Sequence, residues 1–502
     1  MTTSLEQSLC FNVRDFGATG DGQTNDTASI QQAIDACAQS GGGRVVLAHG
    51  RFLSATIHLR SHVELRMDSS ATLLAHPDVS LYYTDTKTPY VILGKMLVYA
   101  EGCEHVAITG TGTIDGQAKL FSPKEEDIRP MLIRLRDCTH ARVEGILLKD
   151  SASFNLHPVH CKHLRIVGLR INSRLRPNND GIDVDGCQDV FISDCHISGS
   201  DDCIALKTTE HGAPCLDVVI SNCILSSHCA AIRIGPDAVA NIERVTVTNC
   251  IIRDTRLNGI KIQETHGAVM KDFLFSNILM ENVQGPISIL LKGWKAESII
   301  WAVHEDSNWE QGRLENISFE NIRATSPAKE WGISITGTTR TRPRQISFSN
   351  IDITFPGGGT AEQARREVPE RDREYPELGL YGDLPAYGLY VRHADDITLN
   401  NVRFRLKSSD LRPAIVCDDV TGLELAGFRA DVDPKSESLI RLQNTRGAFI
   451  TGSRPLGPVP AFVQVEGPES REIVLRGNML DQAGKAVQAT SELSPDIVSR
   501  KE

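Results

Sequence analysis

Two short stretches carry side chains able to move protons: NNDGIDVD at residues 178–185 and SDDCIALK at residues 200–207. Each sets aspartates just ahead of an alternating apolar run, and the second places Asp201 and Asp202 side by side. Neighbouring carboxylates resist ionising together, so a cluster of them holds a carboxylic acid beside ionised partners. Cleavage of a glycosidic bond needs that pairing: one group protonates the leaving oxygen, another activates water or attacks. Two other readings stay open at this point, a carboxylate cluster that binds calcium and a solvated acidic face.

Whether the stretches meet depends on the elements that carry them. From about residue 103 a pattern repeats, in which polar triplets with a cysteine or asparagine lead into short strands: DCTHARVEGILL, HCKHLRIVGLRI, GCQDVFISDCHI, FSNILMENV, FSNIDITF. Leu156, Ile182, Ile204, Ile232, Ile260 and Ile287 align at intervals of 22 to 28 residues. A period in the twenties with short strands and no helices predicts an all-β chain, a right-handed single-stranded parallel β-helix. The LxxLxL pattern of leucine-rich repeats is absent. Coils then stack about 4.8 Å apart.

Alternate strand residues point to opposite sides. With the aligned aliphatics inward, Asp180 and Asp202 share one register and Asn179 and Asp201 another. Asp183, Ala205, Arg233 and Lys261 form an outward column, and Asp185, Lys207, Gly235 and Gln263 the next. The register predicts that Asp180, Asp183, Asp201 and Asp202 crowd one patch about 5–10 Å across, with Arg233 and Lys261 alongside. Like-on-like stacking also predicts interior ladders from Cys138, Cys161, Cys187, Asn222 and Asn249.

The β-helix is expected over residues 1–483. A helix at about 24–40, with Ile30, Ala33, Ile34 and Cys37 on one face, covers its open end. Insertions at about 293–314 and 355–385 break the period, as solenoid insertions on a binding face do. Trp294, Trp301, Trp309 and Tyr375 lie in them, either stacking on sugar rings or capping local apolar patches. Residues 484–502 read as a polar, frayed tail.

Composition bounds the partners. The 502 residues carry a net charge of −11, which argues against nucleic acid and anionic membrane surfaces and leaves a carbohydrate. The chain is expected as a monomer or homodimer. No basic-then-apolar leader opens it, and no run of 18 apolar residues occurs, so the expectation is cytoplasmic with its 13 cysteines reduced. A secreted chain that had lost its leader reads the same. No CxxC pair occurs, and neither a metal nor a cofactor is called for.

At these residues the sequence resembles glycoside hydrolase family 28, the polygalacturonase family among the pectin-lyase-like β-helices. FNVRDFGATGDGQTNDTASIQQAIDA resembles the N-terminal cap of many such helices; GTGTIDG, RPMLIRLRDC and KDSASFNLHPVHC are closer to family 28. NNDGIDVD resembles the family's Asn-Thr-Asp segment, and GSDDCIALK its Asp-Asp-Cys segment. The resemblance implies inversion, with Asp201 as general acid and Asp180 and Asp202 positioning and deprotonating water. It makes Asp183 a supporting polar residue and matches Asn178 to the start of Asn-Thr-Asp. Inversion sets the acid and base carboxyls roughly 6.5–9.5 Å apart.

Two motifs depart from the family. Cys229-Ala230-Ala231 stands where the family carries Gly-His-Gly, with His228 two residues from the expected histidine. Lys261-Ile262-Gln263 stands where the family carries Arg-Ile-Lys to hold a galacturonate carboxylate. Lys261 keeps one charge without a bidentate fork, and Arg233 takes the place of a serine. The site therefore reads as catalytic Asp180, Asp201 and Asp202, with Asn178, Asp183, Lys207, Arg233, Lys261, Gln263 and Glu264 contacting substrate. The expected activity is hydrolysis of a pectin-like or other plant or microbial poly- or oligosaccharide, not standard endo-polygalacturonase action. A polysaccharide lyase or uronate epimerase with a Lys or Arg base is the alternative enzyme, and a non-catalytic glycan-binding β-helix the alternative to any enzyme.

Overall fold

The repeat becomes geometry in the computed structural model, which describes residues 9–88, 94–124, 126–293, 308–372, 374–377, 379–490 and 498–501. The described residues fall into two units, one up to His228 and one from Cys229 onward.

In the first unit each coil contributes three short strands. Ile182–Asp185, Gln188–Ser193 and His196–Gly199 pair in parallel with Ile204–Thr208, Cys215–Ser221 and Ile224–Ser227 of the following coil. Leu156 pairs with Ile182, and Ile182 with Ile204. All three are fully buried, so the aliphatic register points inward as expected. These are coils of a right-handed parallel β-helix, the hand that parallel crossovers take.

A helix, Thr27–Gln39, buries Ile30, Ala33, Ile34 and Cys37 and starts three residues later than the sequence pattern suggested. Asp26, at the cap position, turns its carboxylate back instead. It accepts from the backbone N–H groups of Thr19 (2.8 Å) and Gly20 (3.0 Å), which pins the preceding loop.

In the second unit one ladder runs Ile232, Ile260, Ile287, and the inward column two residues on runs Ile234, Ile262, Ile289 and continues through Ile335, Val391, Cys417, Leu442 and Val465 on later coils. Phe275, Phe319 and Phe348 stack inside it with centroids 5.0 and 4.9 Å apart, near the strand repeat. Pairing continues past residue 483: Ala483–Ala489 lies parallel on Val459–Glu466, and Val498–Lys501 on Arg471–Arg476. The polar composition of Ala483–Ala489 reflects an outer strand whose side chains are exposed or half-buried.

The cysteine ladder is interior. Cys138, Cys161 and Cys187 are buried, and the Cys161 N–H donates to the Cys187 sulfur at 3.2 Å. The asparagine ladder is a correction. Asn222 and Asn249 are exposed, with φ of 56° and 55°. The coil corner demands a left-handed residue, and asparagine tolerates that region. In the second unit the exposed amides Asn249, Asn277, Asn321, Asn350 and Asn401 bond one coil to the next at 2.8–3.3 Å.

Both insertions interrupt the strands. Arg344–Phe355 ends before residue 356, and the ladder resumes at Leu389. Between them a capping box at Thr360 and Gln363 starts the short helix Ala361–Ala364. Tyr381 and Leu384 then bury themselves against Leu290, Tyr390 and Val416. Val269–Leu291 ends the coil before the other insertion; Trp294 and Trp301 lie outside the described residues. Trp309 sets its indole on Gly293, where a β-carbon would come within 2.7 Å of the ring.

Candidate active site

The turn before Ile182 is held from below. Arg129, fully buried, donates to the carbonyls of Ala152 (2.8 Å) and Pro177 (2.7 Å) and to Asn178 Oδ1 (2.7 Å). Asn178 sits at φ 54°. The Asn179 amide donates to Ser151 O at 2.8 Å and Ser153 O at 3.0 Å. Asn155 grips the Asp180 carbonyl with both its backbone N–H (2.9 Å) and its side-chain amide (2.8 Å). On the next rung the Gly181 N–H donates to Asp202 O at 2.9 Å. Gly181 has no substitute there, since a β-carbon would stand 2.4 Å from Cys203 O.

Asp180, Asp183, Asp201 and Asp202 take different environments. Asp180, Asp183 and Asp202 are buried, and Asp201 is half-buried. Asp201 Oδ1 accepts from the Asp202 N–H at 3.0 Å, and its carbonyl accepts from Ser227 Oγ at 2.6 Å. Asp201 and Asp202 present oxygens within 4.8 Å of each other. Lys207 reaches back one rung: its Nζ lies 2.7 Å from Asp183 and 3.5 Å from Asp180, and 4.6 Å above the Phe154 ring. The column opposite Asp183 carries Ala205, whose small side chain leaves room for that lysine.

Burial pushes the Asp183 carboxyl up to about 6, against the pull of Lys207, and the charge of Asp202 adds to the rise. Asp183 also shares a side-chain hydrogen bond with Asp180. That bond lowers the Asp183 carboxyl, so it acts with Lys207 against the rise caused by burial.

The outward side chains of the second unit are engaged by its own insertion. Arg233 donates to Gln263 Oε1 at 3.1 Å and to Tyr375 Oη at 2.9 Å. Gln263 donates to the Pro376 carbonyl, and Lys261, fully buried, pairs with Glu377. Three consecutive residues thus cover three side chains expected to meet substrate.

Residues 37–371 match the model of glycosyl hydrolases family 28. The chain belongs to that family. A Vitis vinifera protein named "Probable polygalacturonase" is 30% identical over 298 residues, covering 54% of this chain and 60% of that protein. Among solved structures, the hyperthermoactive exopolygalacturonase of Thermotoga maritima superposes with a TM-score of 0.63, at 21% identity over 79% of this chain and 92% of that one. The family 28 exopolygalacturonase of Yersinia enterocolitica gives 0.67, at 20% identity over 84% and 79%. At that identity the two structures speak for the fold.

For this family 28 chain one substrate contact is corrected. Glu264 is fully buried and points into its own turn, where Oε1 accepts from the N–H groups of His266 (2.9 Å), Gly267 (2.7 Å) and Ala268 (2.9 Å). Burial raises its carboxyl to about 8, against those three bonds. His228 is likewise committed, 2.7 Å from Arg174 Nη1.

Beside Lys207 runs a network that the sequence reading passed over. Asp85 accepts from Arg134 at 3.0 Å and Arg136 at 3.3 Å; Arg134 reaches His157 Nδ1 at 3.1 Å, and His157 Nε2 lies 3.5 Å from Asp185. Burial lowers His157 to about 4, so the ring is neutral near pH 7. Burial opposes ionising Asp185, yet His157 and the two bonds from Thr209 hold it down at about 2. The signal was available in MLIRLR, which puts Arg134 and Arg136 at alternate, same-facing positions of a strand. Arg134 pairs with His157, and Val159 with Asp185.

Proposed function

We propose that this family 28 chain is an inverting hydrolase that cleaves a pectin-type glycan. Asp201 gives its proton to the glycosidic oxygen as the C1–O bond breaks. Asp180 and Asp202 hold the water that attacks C1 from the opposite face, and its proton passes to them. The observation that carries the assignment is the contrast within the cluster: Asp201 is half-buried, while Asp180 and Asp202 are buried. The 4.8 Å limit between Asp201 and Asp202 oxygens is tighter than the roughly 6.5–9.5 Å expected of an inverting acid and base. That spacing is nearer the roughly 5–5.5 Å of a retaining pair, so inversion rests on the match of the three aspartates to the family's motifs and not on the spacing.

Substrate class follows the names of the relatives. The insertion that covers outward residues of the second unit's sheet supports an uncharged sugar at Lys261, since an anion finds that cation already paired. A lyase or epimerase base must be an uncommitted Lys or Arg side chain able to take up a proton; Lys207 lies between two aspartates, and Lys261 and Arg233 are engaged. Product analysis on pectic oligosaccharides tests the reading. New reducing ends are expected, inverted in the first-formed anomer by proton NMR, without an unsaturated sugar absorbing in the near ultraviolet. An unsaturated product, or retention of configuration, would overturn it.

A further inference from the structure

The second unit carries a half-open cavity of about 550 Å³ that none of this chemistry uses. Its floor is the outward face of three successive rungs. Tyr390, Val416 and Arg441 form one column and Arg392, Asp418 and Gln443 the next. Its roof is the segment Arg365–Glu370 of the insertion. The volume lies within the roughly 300–1,000 Å³ of small-molecule sites.

The floor is polar in both senses. Guanidinium and amide groups donate, while carboxylate and amide oxygens accept, at the 4.8 Å spacing of the rungs. Arg392 and Arg441 are more than nine-tenths buried, and the Nε of each is buried without a hydrogen-bond partner. Their other nitrogens are used on the roof: Arg392 donates to Val368 O at 2.6 Å and Pro369 O at 2.9 Å, and Arg441 to Ala364 O. Each Nε is shut off from the cavity, so the polar groups a ligand meets on the floor are the half-buried Asp418 and Gln443. Burial raises the Asp418 carboxyl above its usual range. The wall holds no surplus of positive charge, for Arg365 is paired with Glu437 and Arg392 lies 3.7 Å from Glu370. That balance disfavours an anion. Tyr390 and Val416 are packed against Tyr381 and Leu384, so the surface offered to a ligand is the polar one.

We propose that this cavity is a second saccharide site, distinct from the aspartate cluster, that takes a neutral polyhydroxylated sugar. Hydroxyl groups both donate and accept, which matches the polar lining. D-Galactose and D-galacturonate are suitable probes, because they share a ring and differ in a carboxylate.

The test is saturation-transfer NMR and calorimetric titration of the full chain carrying Asp201→Asn. D-Galactose is expected to bind in the millimolar range. Gln443→Leu and the isosteric Asp418→Asn should each weaken it by about fivefold or more, and galacturonate should bind several-fold more weakly than galactose. Soaked crystals should show galactose density between Arg441 and Asp418. Absence of galactose binding, galacturonate binding as well or better, or galactose binding untouched by both substitutions would each overturn the proposal. Asp418→Asn and the soaked crystals decide the matter should Gln443→Leu fold poorly.

Discussion

Glu264 shows how one buried carboxyl sets a pH limit. Its ordinary value near 4.5 rises to about 8 in the fold, so between those limits the folded chain holds a proton that the unfolded chain has lost. Stability is then fully present below pH 4.5 and falls by about 1.4 kcal/mol per pH unit as pH rises toward 8. Urea unfolding at pH 5 and pH 8 should show that loss in the wild type. Glu264→Gln, which keeps the acceptor for the three N–H groups and cannot ionise, should flatten it. A wild-type midpoint that does not move between the two pH values contradicts the assignment. His157 works at the other end. Lowered from about 6.5 to about 4, it binds fewer protons folded than unfolded, so stability falls as pH drops below 6.5.

At the scale of the element, the insertion 355–385 decides what the second unit offers to a ligand. Its own core of Tyr381 and Leu384 seats it on the sheet, and Tyr375–Glu377 then occupies Arg233, Gln263 and Lys261. Glu377→Gln leaves Lys261 without its counterion. Hydrolysis of uronate oligosaccharides should then rise about tenfold in kcat/KM, mainly through KM, because the substrate carboxylate supplies the missing charge. Oligosaccharides with a neutral sugar at that position should change less than threefold. Equal change on both substrates would show that the segment serves packing and not selection. A cost in stability of roughly 3 kcal/mol accompanies the exposed pairing defect, readable as a lower thermal midpoint without substrate.

At the scale of the whole molecule, the inward aliphatic period was legible because a β-helix writes the same position once per coil, and the pairings Leu156–Ile182–Ile204 and Ile232–Ile260–Ile287 follow it. Asp180, Asp183 and Lys207 come together for the same reason. Asn222 and Asn249 were misplaced because a periodic residue can mark an outer corner as readily as an inner ladder; only φ separates the two. Arg129, Asp85 and the Glu377 contacts were not legible, since loop closures and insertion contacts join residues at no fixed interval. Cysteine placement gives a test at this scale. None of the thirteen forms a disulfide; Cys10 is exposed, Cys229 half-buried and the rest buried. A thiol reagent should therefore label Cys10 at once and Cys229 more slowly in the native chain, and all thirteen after denaturation without reductant. Fewer than thirteen in the denatured chain would mean disulfides that this fold does not contain.

The most direct test of the central claim compares Asp201→Asn on two substrates, the natural glycan and an aryl glycoside whose leaving group departs without protonation. If Asp201 donates the proton, the variant loses about 10³-fold in kcat on the glycan but stays within about tenfold of wild type on the activated substrate. Equal losses on both, or no loss on the glycan, would contradict the account.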